Sequence, residues 1–216
     1  MKQTRILIID GNAAETNAQT IACGGRATGD GYARTLQSLC PSLDIRIARP
    51  VEDGLECLPE SSQLKDYDGI AITGSALNAY NDQPEVQVQI ELARQAFESG
   101  VPVFGSCWGL QVMCVALGGE VQANPKGREL GIGRKILVNE TGLAHPMLVG
   151  KCQVFDAVSI HLDEVTRLPE NAIVLAGNAM SEVQAIEIRR GNHLFWGVQY
   201  HPEFDLGEIT AIMQRY

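Results

Sequence analysis

An α/β fold built on a mostly parallel sheet, with a β-rich mixed continuation in its second half, is what this sequence predicts. Three observations lead there. Short, continuously apolar runs such as Arg5–Asp10, Asp68–Thr73 and Val101–Gly105 read as strands buried on both faces. They alternate with helix-patterned segments, as parallel strands joined by crossover helices require. Beyond Gly119 the helical patterns give way to shorter strand-like runs with turn residues between them.

The first strand, Arg5–Asp10 (RILIID), ends in Asp-Gly-Asn, a loop signal at its carboxyl end. Asn12–Asp30 is small and polar and reads as a loop or an irregular helix start. Its glycines, Gly24, Gly25 and Gly29, do not have the spacing of a dinucleotide fingerprint. Tyr32–Cys40 reads as a helix stopped by Pro41, and Leu43–Ala48 alternates as a second strand. Asp68–Thr73 is the third strand, followed by Gly74-Ser75 and a loop. Pro84 then stands at a helix start, and Val86, Ile90, Ala93 and Phe97 share one helical face until Gly100. Val101–Gly105 supplies a further buried strand, and Trp108–Leu117 an almost wholly apolar helix closed by Gly118-Gly119. The remaining strands are expected at Ile132–Val138, Gln153–Ser159, Ile173–Ala176, Val183–Ile188 and Leu194–Gln199, with a helix beginning at Asp205. No repeat or linker divides the chain, so residues 1–216 are expected to form one domain, with room for a further C-terminal segment.

Composition excludes several classes. The chain of 216 residues has 45% hydrophobic and 20% charged residues, ordinary values for a folded protein. Its net charge of -9 would repel a phosphate backbone, so nucleic acid is not an expected partner. No run approaches a membrane span, and the apolar part of the N-terminus is too short for a signal peptide, so a cytoplasmic protein is expected with no membrane partner. The six cysteines form no C-x-x-C pair, and no His lies at metal-ligand spacing, so neither a metal nor a redox motif is expected. Cys40, Cys57, Cys114 and Cys152 read as small buried hydrophobes.

Cys107 reads differently. Gly105-Ser106-Cys107-Trp108-Gly109 lies between a buried strand and a buried helix, the strand-turn-helix elbow that projects a nucleophile, here with Cys in the usual place of Ser. The turn forces strained backbone angles, and the flanking glycines relieve contacts between strand and helix. The thiol faces the amino end of the helix, whose partial positive charge favours thiolate. The Trp108 N–H offers an oxyanion donor. A base is available in Gln199-Tyr200-His201-Pro202-Glu203: residues two apart in extended chain point the same way, so Glu203 can orient the His201 imidazole.

Together, F-G-S-C-W-G-L-Q and G-V-Q-Y-H-P-E resemble the class I glutamine amidotransferases over essentially the whole chain, including the amidotransferase domain of GMP synthase and the γ-glutamyl peptidases. The resemblance implies a flavodoxin-like or Rossmann-like three-layer sheet and a catalytic Cys107, His201 and Glu203. It also implies a second oxyanion donor from the glycine loop at Gly74-Ser75. Gln111, one helical turn after Cys107, corresponds to a substrate-contacting glutamine; a polar side chain in an apolar helix needs a partner in any case. Ser159-Ile160-His161-Leu162-Asp163 resembles a segment that often reads S-H-G-D and binds the substrate's amino-acid head. Leu162 replaces the usual glycine, which puts the backbone contact in question and points to a differently shaped pocket. His161 is equally readable as a structural histidine, and His145 and His193 read as loop or surface residues.

The implied reaction is hydrolysis of the γ-amide of glutamine through a Cys107 thioester, with no cofactor. The ammonia would pass to a separate synthetase subunit, since 216 residues leave no room for that domain. The alternatives are a free-standing hydrolase of γ-glutamyl compounds and, from another class, a non-catalytic binding protein on the same scaffold.

Overall fold

The computed structural model describes residues 3–58 and 63–215. In chain order the first half runs β1 (Arg5–Ile9), α1 (Ala14–Ala22), α2 (Thr28–Leu39), β2 (Asp44–Ala48), a short α3 (Pro50–Asp53), β3 (Gly69–Ile72), α4 (Pro84–Glu98), β4 (Val103–Ser106) and α5 (Trp108–Ala116). The second half runs β5 (Glu120–Ala123), β6 (Glu129–Val138), a short α6 (Glu140–Leu143), β7 (Val154–His161), β8 (Asp163–Arg167), β9 (Ala172–Gly177), β10 (Ala185–Arg190), β11 (His193–Val198) and α7 (Leu206–Gln214).

The main sheet has the order β2-β1-β3-β4-β11-β10-β9-β6-β7. Strands β2, β1, β3, β4 and β11 are parallel neighbours, and from β11 outward each pairing is antiparallel. This is the expected mostly parallel α/β sheet with its mixed extension. Period-two alternation divides the parallel strands between two layers. Leu7, Ile9, Ile70 and Ile72 pack with Val86, Ala93, Leu110 and Met113 of α4 and α5. Ile8 and Ala71 point the other way, towards Tyr32, Ala33 and Leu36 of α2. A separate cluster, including Ile136, Leu175, Ala185 and Val198, holds the antiparallel half together.

Asn12–Asp30, expected as a loop or an irregular helix start, is more regular than that: it contains all of α1 and the first turn of α2. Its polar composition hid the helices because buried side chains from elsewhere anchor them. The Asp10 carboxylate, fully buried, accepts from the Gly29 N–H at 3.0 Å, the Asn12 N–H at 3.1 Å and Asn17 Nδ2 at 3.2 Å. Asn17 Oδ1 accepts in turn from the Thr28 N–H at 3.0 Å. The small antiparallel pair β5-β8 was also unforeseen, since each strand is specified by its partner across a long stretch of chain. Elsewhere the expected strands and helices appear with ends shifted slightly, as helix and strand termini commonly are. Two cysteines correct the sequence reading: Cys40 and Cys152 are exposed, while Cys57 and Cys114 are buried. No helix among the described residues is long and apolar enough to cross a membrane.

Candidate active site

Cys107 sits at the turn from β4 to α5 with φ 50° and ψ -102°, a conformation that side-chain-bearing residues rarely adopt. The surrounding glycines make the turn possible. A β-carbon on Gly105 would stand 2.6 Å from the Gly109 carbonyl carbon, and one on Gly109 would stand 2.3 Å from the Ile72 carbonyl oxygen. Helix α5 therefore starts pressed against the ends of β3 and β4. The Gly109 N–H donates to the Thr73 carbonyl at 3.1 Å, and the Cys107 N–H to the Val198 carbonyl at 2.8 Å. The sulfur lies 3.5 Å from the Ile160 carbonyl oxygen.

Strand β11 delivers the second element. It pairs in parallel with β4, Val198 beside Ser106, so the chain leaving β11 emerges next to the elbow. His201 is anchored there by its N–H to the Val158 carbonyl at 2.8 Å and by stacking on Phe204 at 4.2 Å. Its Nδ1 lies 2.7 Å from Glu203 Oε1, which also accepts from Ser106 Oγ at 3.0 Å. Nε2 is buried without a hydrogen-bond partner. Burial opposes charge on this imidazole, but the Glu203 carboxylate and the nearby Cys107 outweigh it and push His201 up to about 10. Cys107 and His201 thus share one pocket, with the imidazole oriented by Glu203 on the side away from the free nitrogen.

The pocket has a volume of about 360 Å³. One wall is the loop after β3. Gly74 and Ser75 line it, and a β-carbon on Gly74 would stand 2.7 Å from His201 Cε1. The loop is pinned by Ser75 Oγ donating to the Gly11 carbonyl at 2.7 Å and by the Ala76 N–H donating to Asn12 Oδ1 at 2.9 Å. Trp108 opens α5, where first-turn N–H groups have no partner inside the helix. Its indole is fixed by donation to Gln89 Oε1 at 2.8 Å.

The opposite wall carries the remaining sequence candidates. Gln111 Nε2 donates to the Asp163 carbonyl at 3.1 Å and to Gln199 Oε1 at 3.2 Å, so this amide does have partners at the cavity wall. The Asp163 carboxylate accepts from Asn78 Nδ2 at 2.7 Å and Tyr80 Oη at 3.3 Å. His161 is buried and bonded to Glu129 and to the Asp163 carbonyl. Leu162 faces the cavity without a positive φ, so the backbone here does not require the glycine it replaces. All ten sequence candidates lie around this one centre except Trp108 and Glu203, which stand behind the cavity surface at its elbow and base.

Sequence reasoning missed Ser106, Asn78, Tyr80 and Glu129. Ser106 had a signal, its place inside the elbow; the other three come from loops and strands with no local signature. His145 lies in a loop, as expected, but its side chain is turned inward: it is 11% exposed, bonded to Glu187 at 3.0 Å and packed edge-on to Trp196. His193 is half-buried and capped by the Phe97 carbonyl at 2.8 Å.

Residues 42–215 match the family model described as glutamine amidotransferase class-I. Over 207 residues the chain is 42% identical to a gamma-glutamyl-L-1-hydroxyisopropylamide hydrolase of a Pseudomonas species, covering 94% of this chain and 68% of that protein. It is 30% identical to gamma-glutamyl peptidase 4 of Arabidopsis thaliana over 73% of this chain and 62% of the relative, so the match spans less than two thirds of that protein's length. The fold is similar to that of a glutamine amidotransferase from Thermotoga maritima, with a TM-score of 0.77 at 16% identity, covering 100% of this chain and 83% of the other.

Proposed function

Because the chain belongs to the class I glutamine amidotransferase family, we propose that it hydrolyses γ-glutamyl amides through a thioester on Cys107, with His201 as the base and Glu203 as its orienting carboxylate. The observation that carries this reading is the shared pocket of a strained, turn-borne thiol and an imidazole whose Nε2 is unpartnered while its Nδ1 is held by a carboxylate. Cys107 Sγ attacks the γ-carbonyl carbon, and the oxyanion is held by the N–H groups of Trp108 and of Gly74 or Ser75. His201 passes a proton to the departing nitrogen as the C–N bond breaks, leaving a γ-glutamyl thioester. Water then attacks the thioester, His201 Nε2 takes its proton, and glutamate leaves with the thiol restored. No cofactor enters these steps. Gln111 and the His161-Leu162-Asp163 turn bind the amino-acid head.

The amide of an organic amine is favoured over glutamine as substrate by two observations. The 42% identical relative is named for such a substrate, and the cavity here extends to Thr16, Gln19 and Thr28 of α1 and α2 and to Ile212 and Arg215 at the α7 end. That leaves volume beside the triad for a leaving group larger than ammonia. The glutamine reading, in which ammonia goes to a synthetase partner, stays as the second. Glutamate release from glutamine, glutathione and a series of γ-glutamyl alkylamides separates the two: the alkylamides should be preferred. Turnover of glutamine alone would favour the ammonia route. Cys107→Ala should release no glutamate from any of them, and full activity in that variant would end the nucleophile assignment.

A further inference from the structure

Behind the cavity wall lies a buried polar cluster that the reaction steps do not use. Glu129, at the start of β6, is the direct cross-strand neighbour of His161 on β7. Both are buried, at 6% and 4% exposure. Glu129 Oε2 accepts from Ser159 Oγ at 3.1 Å and from Gln184 Nε2 at 3.0 Å, and Oε1 accepts from Asn178 Nδ2 at 2.7 Å. Space for the carboxylate exists because position 133 is glycine: a β-carbon there would stand 3.2 Å from Glu129 Oε2. A buried carboxyl surrounded by donors is held as the anion. Burial works to raise it, but the bonds from His161, Asn178 and Gln184 keep Glu129 below its usual value.

The His161 ring bridges this carboxylate and the cavity. Nε2 lies 2.9 Å from Glu129 Oε2 and Nδ1 lies 2.9 Å from the Asp163 carbonyl oxygen. Both partners are acceptors, so each bond needs a proton on the ring nitrogen. The Asp163 carbonyl also accepts from Gln111, and the neighbouring Ile160 carbonyl touches the Cys107 sulfur. The other charged or titratable groups on the cavity are Cys107, Asp163, His201, Arg128 and Arg215. Of these, the Asp163 carboxylate is already bonded to Asn78 and Tyr80.

We infer that Glu129 is a positioning residue for the substrate's amino-acid head: its carboxylate anchors the His161 ring at Nε2, and that ring, through Nδ1, fixes the Ile160–Asp163 turn of the cavity wall. The inference rests on the proposed γ-glutamyl reading for its kinetic consequence, but not for the anchoring of the ring. Glu129 touches no reacting atom. Its effect passes through His161 to the Asp163 carbonyl and so to Gln111.

Two measurements test it. With four histidines in the chain, long-range proton–nitrogen NMR on the labelled protein resolves each ring. The His161 Nε2 proton should be hydrogen-bonded and slow to exchange in the wild type and fast to exchange in Glu129→Ala. A freely exchanging Nε2 proton in the wild type overturns the inference, even if the variant fails to fold. In steady-state kinetics Glu129→Gln should raise KM for a γ-glutamyl amide by about tenfold while kcat changes little, as expected for a lost charge-assisted bond that positions bound substrate. A fall in kcat at unchanged KM overturns the positioning role. A wild type that turns over no γ-glutamyl compound would instead count against the hydrolase reading, while the ring measurement still decides whether Glu129 anchors His161.

Discussion

Gly74 is packed so closely against His201 that a β-carbon would stand 2.7 Å from Cε1 of the imidazole. The ring cannot retreat, because Glu203 holds Nδ1 at 2.7 Å and Phe204 stacks on its face. The loop must therefore move in Gly74→Ala, carrying with it the N–H groups assigned to the oxyanion. A displacement of roughly 1 Å at such a site costs about 100-fold in rate. Kinetics should show that loss in kcat/KM with little change in melting temperature; an unimpaired variant would remove the loop from the chemistry.

Gly109 makes a different prediction, because two effects oppose each other there. Alanine in the first turn of α5 gains about 1 kcal/mol in helix propensity. Its β-carbon, however, would stand 2.3 Å from the Ile72 carbonyl oxygen, and overpacking against backbone costs about 1–3 kcal/mol or more. The clash should win. Denaturant unfolding of Gly109→Ala should give a lower midpoint than the wild type, and an equal or higher one would mean that α5 can move away from β3.

The pH dependence follows from His201, which is pushed up to about 10 against the opposing effect of burial, first by Glu203 and then by Cys107. A folded value above the ordinary one of about 6.5 contributes stability that is fully present below that pH and is lost as pH rises through about 10. Glu203→Gln removes the strongest raising influence. The melting-temperature advantage of the wild type over this variant should be greatest near neutral pH and shrink towards about pH 10. Turnover by the variant should fall by about 100-fold or more, since the imidazole loses its orienting partner. A stability gap that widens with pH would contradict the assignment.

The cysteines offer a chemical test. Cys40 and Cys152 are exposed, whereas burial pushes Cys57 up to about 11 and raises Cys114 as well. If Cys107 is the activated thiol, iodoacetamide at neutral pH should modify it before the exposed Cys40 and Cys152, and a γ-glutamyl amide should protect it alone. Peptide mass spectrometry reads each site. Equal rates at Cys107 and Cys40 would favour the binding-protein alternative.

Much of this molecule was legible where the physical cause is local. The strands Arg5–Ile9, Gly69–Ile72 and Val103–Ser106 announce themselves as unbroken apolar runs, and α4 and α5 by their spacing and their Pro and Gly boundaries. The elbow was readable because a side chain at 105 or 109 would collide with backbone, a constraint that two glycines record in place. Helix α1 was not legible, since its buried Asn17 gains its partners only from the Asp10 carboxylate and the turn at Thr28.

The sequence by itself determined the alternation of strands and helices, the strained turn at Cys107 and the two-residue step from His201 to Glu203. All of these depend on neighbours along the chain. The tertiary structure alone decided that β11 lies beside β4, bringing that imidazole to the thiol, and that Asn78, Ser106 and Glu129 complete the surroundings. Such partners are chosen by hydrogen-bond satisfaction between groups remote in the chain, and burial makes that satisfaction obligatory only once the sheet has closed around them.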